Sequence, residues 1–268
     1  MSELLALASE IAREAGGVAR ARFHEPRTIR TKTSEIDLVT DVDHALDRLI
    51  RERIRAARPN DALLTEENTA QAGSSGVRWI VDPLDGTTNY AHAFPHFAIS
   101  IGVEVDGQRG CGVVFDPMRD ELFSAERGSG AQLNGKPIHV SQISELRRAL
   151  LATGFAYDVH QKRTPNLLHF ERFVGCAQAI RRAGSAALDF AYVACGRFDG
   201  YWELHLAPWD VAAGLLLVEE AGGRTSDFDA GPAPASGARI VASNGRLHAQ
   251  MLEVLNPRAA VAPARPAS

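Results

Sequence analysis

Packed layers of strand and helix, an α/β or α+β fold, are predicted for this 268-residue chain by three observations. Some stretches repeat their apolar residues at helical spacing, and others are short β-rich runs. The two kinds interleave along most of the chain, which suits stacked layers around a shared core. The hydrophobic share, 45%, is enough to bury such a core.

In order along the chain, Leu4, Leu5, Ala8, Ile11, Ala12 and Ala15 mark a helix expected to continue to about Phe23 despite Gly16-Gly17. Asp41 is expected to cap a second helix carrying Ala45, Leu46, Leu49, Ile50 and Ile54, stopped by Pro59. Residues 62–65 and 79–81 are strands that run directly into acidic residues. Residues 97–105, 110–115 and 121–125 form a meander of hairpins, turned by Asp106-Gly107 and Asp116-Pro117. In the second half, strands are expected at 150–153, 179–182, 200–203 and 240–242. Helices are expected at 164–174, 185–195, 208–221 and 246–255, the third begun by Pro208 and closed by Gly222-Gly223. The Ala/Pro-rich tail at 257–268 is expected to be disordered.

Composition narrows the function classes. Net charge is −4 and the pI about 6.1, without a run of like charge, so a nucleic-acid-binding surface is not expected. The N-terminal segment has acids among its apolar residues and no basic n-region, which reads as an amphipathic helix rather than a signal peptide. No apolar run reaches the roughly 20 residues that span a bilayer, so a cytoplasmic protein is expected. Cys111, Cys176 and Cys195 are too far apart for a CxxC site and are expected to be buried small hydrophobes.

The chemistry is concentrated in Trp79-Ile-Val-Asp82-Pro83-Leu84-Asp85-Gly86-Thr87-Thr88-Asn89. A strand runs into Asp82, turns at Pro83 and presents Asp85, so two carboxylates converge at one strand exit. Gly86 allows close backbone approach, and the N–H groups after it would cradle a phosphate if a helical turn begins there. The bland alternative is a polar turn with Asx and hydroxyl caps. Glu66-Glu67 ends another strand. Asp210 begins an apolar helix, where it reads either as a dipole-favoured acid or as a partner in a shared cation site. Oxygen ligands without a His cluster favour Mg²⁺ over zinc.

Four blocks together resemble the inositol monophosphatase family, in its bacterial form. They are Asp37-Leu-Val-Thr-Asp-Val-Asp43, Glu66-Glu67, the Trp79-to-Asn89 segment and Trp209-Asp210-Val-Ala-Ala-Gly214. The resemblance spans about residues 4–255. It implies a layered αβαβα sandwich forming a single domain at 1–256, with fused lobes at about 1–145 and 146–256. It also implies a homodimer, two to three Mg²⁺ ions, lithium sensitivity and a small phosphorylated metabolite as substrate. By residue match, Glu66, Asp82 and the Leu84 carbonyl would hold one ion. Asp82, Asp85 and Asp210 would hold a second, and Glu66 would help a weaker third. Thr87, backed by Asp43, would orient the attacking water, with Lys32 near that network. Asp85, Gly86, Thr87, Thr88, Gly184, Ser185, Glu203 and Asp210 would meet the substrate.

The chain departs from the family pattern in two places. Thr65 stands where Gly usually precedes the Glu pair, and Ala207-Pro208 where the animal enzymes carry His-Cys, removing one polyol contact. The resemblance implies inositol-1-monophosphatase activity, possible on broader sugar phosphates. The alternatives are a histidinol-phosphatase of the same family and a regulatory protein of transcription complexes.

Other signals are weaker. Residues 130–136 mimic a P-loop, but Pro137 replaces the required hydroxyl residue and Asn134-Gly135 is a hairpin-turn pair. His92 and His96 are expected at the rim or surface. Gly184-Ser185 lacks a nucleophile elbow. Tyr201, Trp202 and Trp209 read as core aromatics. Arg181-Arg182 fits a phosphate or dimer contact and a solvated pair equally.

Overall fold

The structure is a computed structural model that describes residues 2–32, 36–156 and 165–256. Its first part runs α1 (Glu3–Arg22), β1 (Ile29–Thr31), β2 (Leu38–Thr40), α2 (Asp41–Ala57), β3 (Ala62–Thr65), β4 (Asn68–Gln71), β5 (Val77–Asp85) and α3 (Thr87–Ala91). A meander follows: β6 (Ala98–Val105), β7 (Gln108–Asp116), β8 (Glu121–Glu126), β9 (Gly130–Leu133) and β10 (Lys136–Ile138). The remainder is β11 (Leu150–Thr153), α4 (Pro165–Val174), β12 (Ala179–Arg181), α5 (Ala186–Ala194), β13 (Gly200–Leu204), α6 (Pro208–Glu220), β14 (Arg224–Ser226), β15 (Arg239–Ser243) and α7 (His248–Leu255).

The layers follow from which faces are apolar. An eight-stranded sheet, ordered β10-β9-β8-β7-β6-β5-β3-β4, buries one face under α1 and α2. Ala8, Ile11, Ala12 and Ala15 of α1 and Leu46, Ile50 and Ile54 of α2 pack there with Trp79 and Ile101. The other face meets α5 and α6, which are apolar nearly all round because a five-stranded sheet, β12-β11-β13-β15-β14, covers their far side. The outer face of that smaller sheet packs on α4 and α7 through Phe173, Trp202 and Met251. The order is therefore helix, sheet, helix, sheet, helix, the αβαβα sandwich expected.

Two local features decide where the chemistry falls. Residues 77–85 are buried except Arg78, so β5 is a central strand, parallel to β3 and antiparallel to β6. Pro83 has no N–H for the ladder, and the pairing with β6 slips between Asp82 and Asp85. The bulge lets both acids leave the sheet edge together. The cap of α2 is the second feature. It is Thr40, not Asp41 as expected, and its hydroxyl and backbone engage Asp43 in a capping box.

Several further expectations are corrected. The strands at 29–31, 38–40, 68–71, 130–133, 136–138 and 224–226 were not foreseen, nor was α3 as a helix. His96 is 5% exposed, not at the surface, with Nε2 buried and unpaired; burial lowers its pKa to about 4. Cys111 is buried, whereas Cys176 and Cys195 are only half-buried. Trp209 is half-buried beside a cleft rather than in the core. Tyr201 and Trp202 are fully buried. The 257–268 tail and the first residue of the 164–174 helix lie outside the described residues.

Candidate active site

Strand ends from both sheets and the starts of α3, α5 and α6 enclose a cleft of about 370 Å³. Lys32, Glu66, Asp82, Leu84, Asp85 and Gly86 line one side. Thr87, Thr88, Gly184, Ser185, Glu203 and Asp210 complete the expected set. Asp43 does not line the cleft; it lies behind Thr87, 1% exposed.

Carboxylate oxygens of Asp82, Asp85 and Asp210 all lie within 4.8 Å of one another. Each acid is held by a different element. Asp82 accepts from its own turn, Leu84 N to Oδ1 at 3.0 Å. Asp85 reaches across to the start of α5, accepting from Ser185 Oγ at 2.5 Å and Ala187 N at 2.8 Å. Asp210 Oδ2 accepts from Ala207 N at 2.7 Å, so it is a helix-capping acid and a member of the cluster at once. Glu66 lies against Asp82. Its Oε1 accepts from Lys32 Nζ at 2.8 Å, and Lys32 also donates to the buried Glu67.

Burial is the main force on these acids. It raises the pKa of Glu66, and that of Asp82 and Asp210 well above the ordinary value. For Asp82 the charges of Glu66, Asp85 and Asp210 push the same way. Burial carries Asp85 to about 6 in spite of its bonds to Ser185 and the α5 backbone. Burial opposes the charge of Lys32, but Glu66 and Glu67 outweigh it and raise its pKa. One ammonium thus faces several buried carboxyls. Four gathered acids, all oxygen donors, with so little positive charge among them fit a hard divalent cation.

That imbalance predicts a pH dependence. An unfolded carboxyl titrates near about 4, whereas folded Asp85 titrates at about 6 and its neighbours are shifted upward too. The folded, cation-free protein therefore holds protons more tightly than the unfolded chain. The resulting stabilisation is complete below about pH 4 and is lost as pH rises through 6. A divalent cation held by these acids would replace those protons. Scanning calorimetry should show a larger rise in Tm on adding Mg²⁺ at pH 8 than at pH 5; equal rises would contradict the cluster.

Around Thr87 the geometry is equally specific. Its hydroxyl is within hydrogen-bond reach of Asp43 Oδ1 at 2.8 Å and the Leu84 carbonyl at 3.1 Å. The other Asp43 oxygen accepts from Thr40 N at 2.8 Å, so the carboxylate cannot turn away. Gly86, in the left-handed region at φ 98°, starts α3; a Cβ there would meet the His96 and Gly184 carbonyls at 3.1 and 3.2 Å.

Glu203 also lines the cleft and is 9% exposed. Burial carries its pKa to about 7, against the Tyr201 hydrogen bond and the charge of Arg182. Arg182 lines the cleft, while Arg181 does not and donates to the Ile180 carbonyl at 3.1 Å. The sequence reading assigned no role to Glu67, Asp189, Gly154 or Phe155. For Asp189 a signal existed: it is the single acid in apolar α5, the pattern that singled out Asp210.

No helix among the described residues is long and apolar enough to cross a membrane. The inositol monophosphatase family profile matches residues 1–259. Nus factor SuhB of Escherichia coli strain K12 is 44% identical over 255 residues, 94% of this chain and 95% of that protein. An inositol-1-monophosphatase of Synechocystis sp. is 42% identical over 253 residues, 94% of this chain and 88% of that protein. The solved structure of extragenic suppressor protein suhB from Bartonella henselae superposes with a TM-score of 0.91 at 37% identity, covering 96% of this chain and 100% of that one. Fold, acid cluster and these likenesses agree, and the chain belongs to the inositol monophosphatase family.

Proposed function

We propose that this protein hydrolyses phosphate monoesters of small polyhydroxylated metabolites, with inositol 1-phosphate the leading substrate and Mg²⁺ the cofactor. The observation that carries this reading is the convergence of Asp82, Asp85 and Asp210 within 4.8 Å in a cleft that Glu203 also lines. The relative from Synechocystis that bears the name inositol-1-monophosphatase supports the substrate.

Glu66, Asp82 and the Leu84 carbonyl would hold one ion, and Asp82, Asp85 and Asp210 another; Glu66 suits a weaker third. Bound there, divalent cations neutralise phosphate charge and make water easier to deprotonate. The chain's own residues do the rest. Thr87, with its proton directed to Asp43, leaves a lone pair to accept from an attacking water and so aims it. Backbone N–H groups of Gly86, Thr87 and Thr88 suit phosphate oxygens. Lys32 keeps a fixed positive charge beside Glu66, favouring the anionic substrate end. Phosphoryl transfer asks mainly for such positioning and charge balance. Glu203, with the Gly184-Ser185 turn, suits the hydroxyls of the leaving group, although Ser185 Oγ is engaged by Asp85.

The reading extends to a cytoplasmic homodimer of single-domain chains with two fused lobes, inhibited by lithium. Its test is a panel of monoesters assayed with Mg²⁺, including inositol 1-phosphate and histidinol phosphate. The fastest turnover is expected on inositol 1-phosphate; turnover of none of them would overturn the reading, and preference for histidinol phosphate would move the substrate. A second reading, participation in transcription complexes, is favoured by the E. coli relative named as a Nus factor. Recovery of RNA polymerase with the protein, at negligible phosphatase activity, would favour that one.

A further inference from the structure

Glu66 and Glu67 are the two turn residues of a hairpin, closed by the pairing of Thr65 in β3 with Asn68 in β4. Strand β4 is the edge of the eight-stranded sheet, and all four of its residues are exposed. A turn with so little packing around it is held weakly unless something braces its foot. The other acids need no such help, since Asp82 and Asp85 end a central strand and Asp210 starts a helix. Glu66 alone depends on the hairpin for its place.

One brace is backbone: Glu66 N donates to the Val81 carbonyl at 3.2 Å, tying the turn to β5. The other comes from α2. Asp47 is 2% exposed, and its Oδ2 accepts from Asn68 Nδ2 at 2.5 Å with Arg51 Nη1 at 3.5 Å. Asp47 stands four residues after Asp43, so the two acids share one face of the helix. Asp43 engages Thr87 at the start of α3, and Asp47 engages the hairpin that carries Glu66. A single helix thus ties down both parts of the site.

Thr65 adds a second observation. Along β3 it falls on the same face as Leu63, which packs with Leu46 and Ile50 of α2. Thr65 Oγ1 is buried without a hydrogen-bond partner among the described residues, and so is Asp47 Oδ1. A hydroxyl can donate to a carboxylate, so each group offers what the other lacks. Apolar residues at both positions would avoid the cost of burying these groups. The polar groups stand instead where the strand turns into Glu66.

We propose that Asp47 is a positioning residue, which holds the Glu66-Glu67 hairpin through Asn68, with Thr65 beside it, so that Glu66 meets a cation in the right place. The proposal rests on Glu66 as a cation ligand and names what aims it. Partners that orient a ligating carboxylate typically change metal affinity by about ten- to a hundredfold.

Asp47→Leu keeps the branched shape of the side chain without an acceptor. Its midpoint for activation by Mg²⁺ should rise about tenfold or more, with kcat at saturating Mg²⁺ nearly kept. Isothermal titration calorimetry with Mg²⁺ and no substrate should show the same weakening. Asp47→Asn still offers an oxygen to Asn68 and should restore most of the affinity. Asn68→Ala removes the donor on the exposed strand, leaves α2 untouched and should also raise the midpoint. A merely structural Asp47 would lower Tm in Asp47→Leu and leave Mg²⁺ affinity alone, which overturns the proposal. Wild-type affinity in Asn68→Ala overturns it too, and that variant decides the matter if Asp47→Leu does not fold. A wild-type protein that binds no Mg²⁺ would instead overturn the ligand reading, and the positioning role with it.

Discussion

Asp82→Asn lowers kcat/KM on inositol 1-phosphate by on the order of 10³-fold or more, while the far-ultraviolet circular dichroism stays that of the wild type. The loss is expected to be this large because the charges of Glu66, Asp85 and Asp210 all act on Asp82, whose oxygens lie within 4.8 Å of those of Asp85 and Asp210. Removing one charge there would weaken the binding of any divalent cation by the cluster. The same substitution should raise the Tm of the cation-free protein, since the most crowded member of a buried like-charge group has gone. It should also shrink the rise in Tm that Mg²⁺ produces, because stabilisation by a ligand follows its affinity. Activity falls as bare-protein stability rises. An Asp82 that served only as a turn cap would show the reverse: it accepts from Leu84 N, and losing that bond would destabilise the loop with little effect on turnover.

Thr87→Val is expected to reduce kcat by about 10²–10⁴-fold with the Mg²⁺ activation midpoint nearly unchanged. Val keeps the shape of the side chain and its β-branching, so α3 and the loop should survive. What disappears is the hydroxyl between Asp43 and the cleft. Asp43 would then lie buried with one oxygen unpaired, because Thr40 satisfies only the other. Measuring kcat across a Mg²⁺ titration separates the two effects. A shift in the midpoint at unchanged maximal rate would show that Thr87 supports the ions through the Leu84 carbonyl instead.

The elements legible in the sequence are those whose side chains carry the packing. Helix α1 shows its buried Ala8, Ile11, Ala12 and Ala15 at helical spacing, and β3 and β11 are found at their expected residues. The meander was legible through its turns. Asp106-Gly107, one of the two turns foreseen, has positive φ at both residues, as a tight hairpin requires. The unforeseen strands are short and often exposed. All three residues of β1 and all four of β4 face solvent, and β10 holds Pro137 at a sheet edge. Their ladders come from a neighbour across the sheet, not from any pattern of their own.

The site divides along similar lines. Asp82, Asp85, Glu66 and Asp210 stood out because an acid at the end of an apolar segment violates local patterning. Glu67 was visible in the Glu66-Glu67 pair, but nothing in the sequence showed that Lys32 would clamp both. Gly154 lies outside every motif, and only the crowding of Glu203 against it reveals its purpose. His96, expected at the rim or surface, instead packs its ring edge-on to Tyr192 in the interior.

The account depends on one gathering of acids around shared cations. Crystals of the protein soaked in Mn²⁺, with diffraction recorded near the manganese absorption edge, test it most directly. The expected result is an anomalous peak among the carboxylate oxygens of Asp82, Asp85 and Asp210, with a neighbouring peak toward Glu66. A cleft without such peaks at millimolar Mn²⁺, with Lys32 still paired to Glu66, would contradict it.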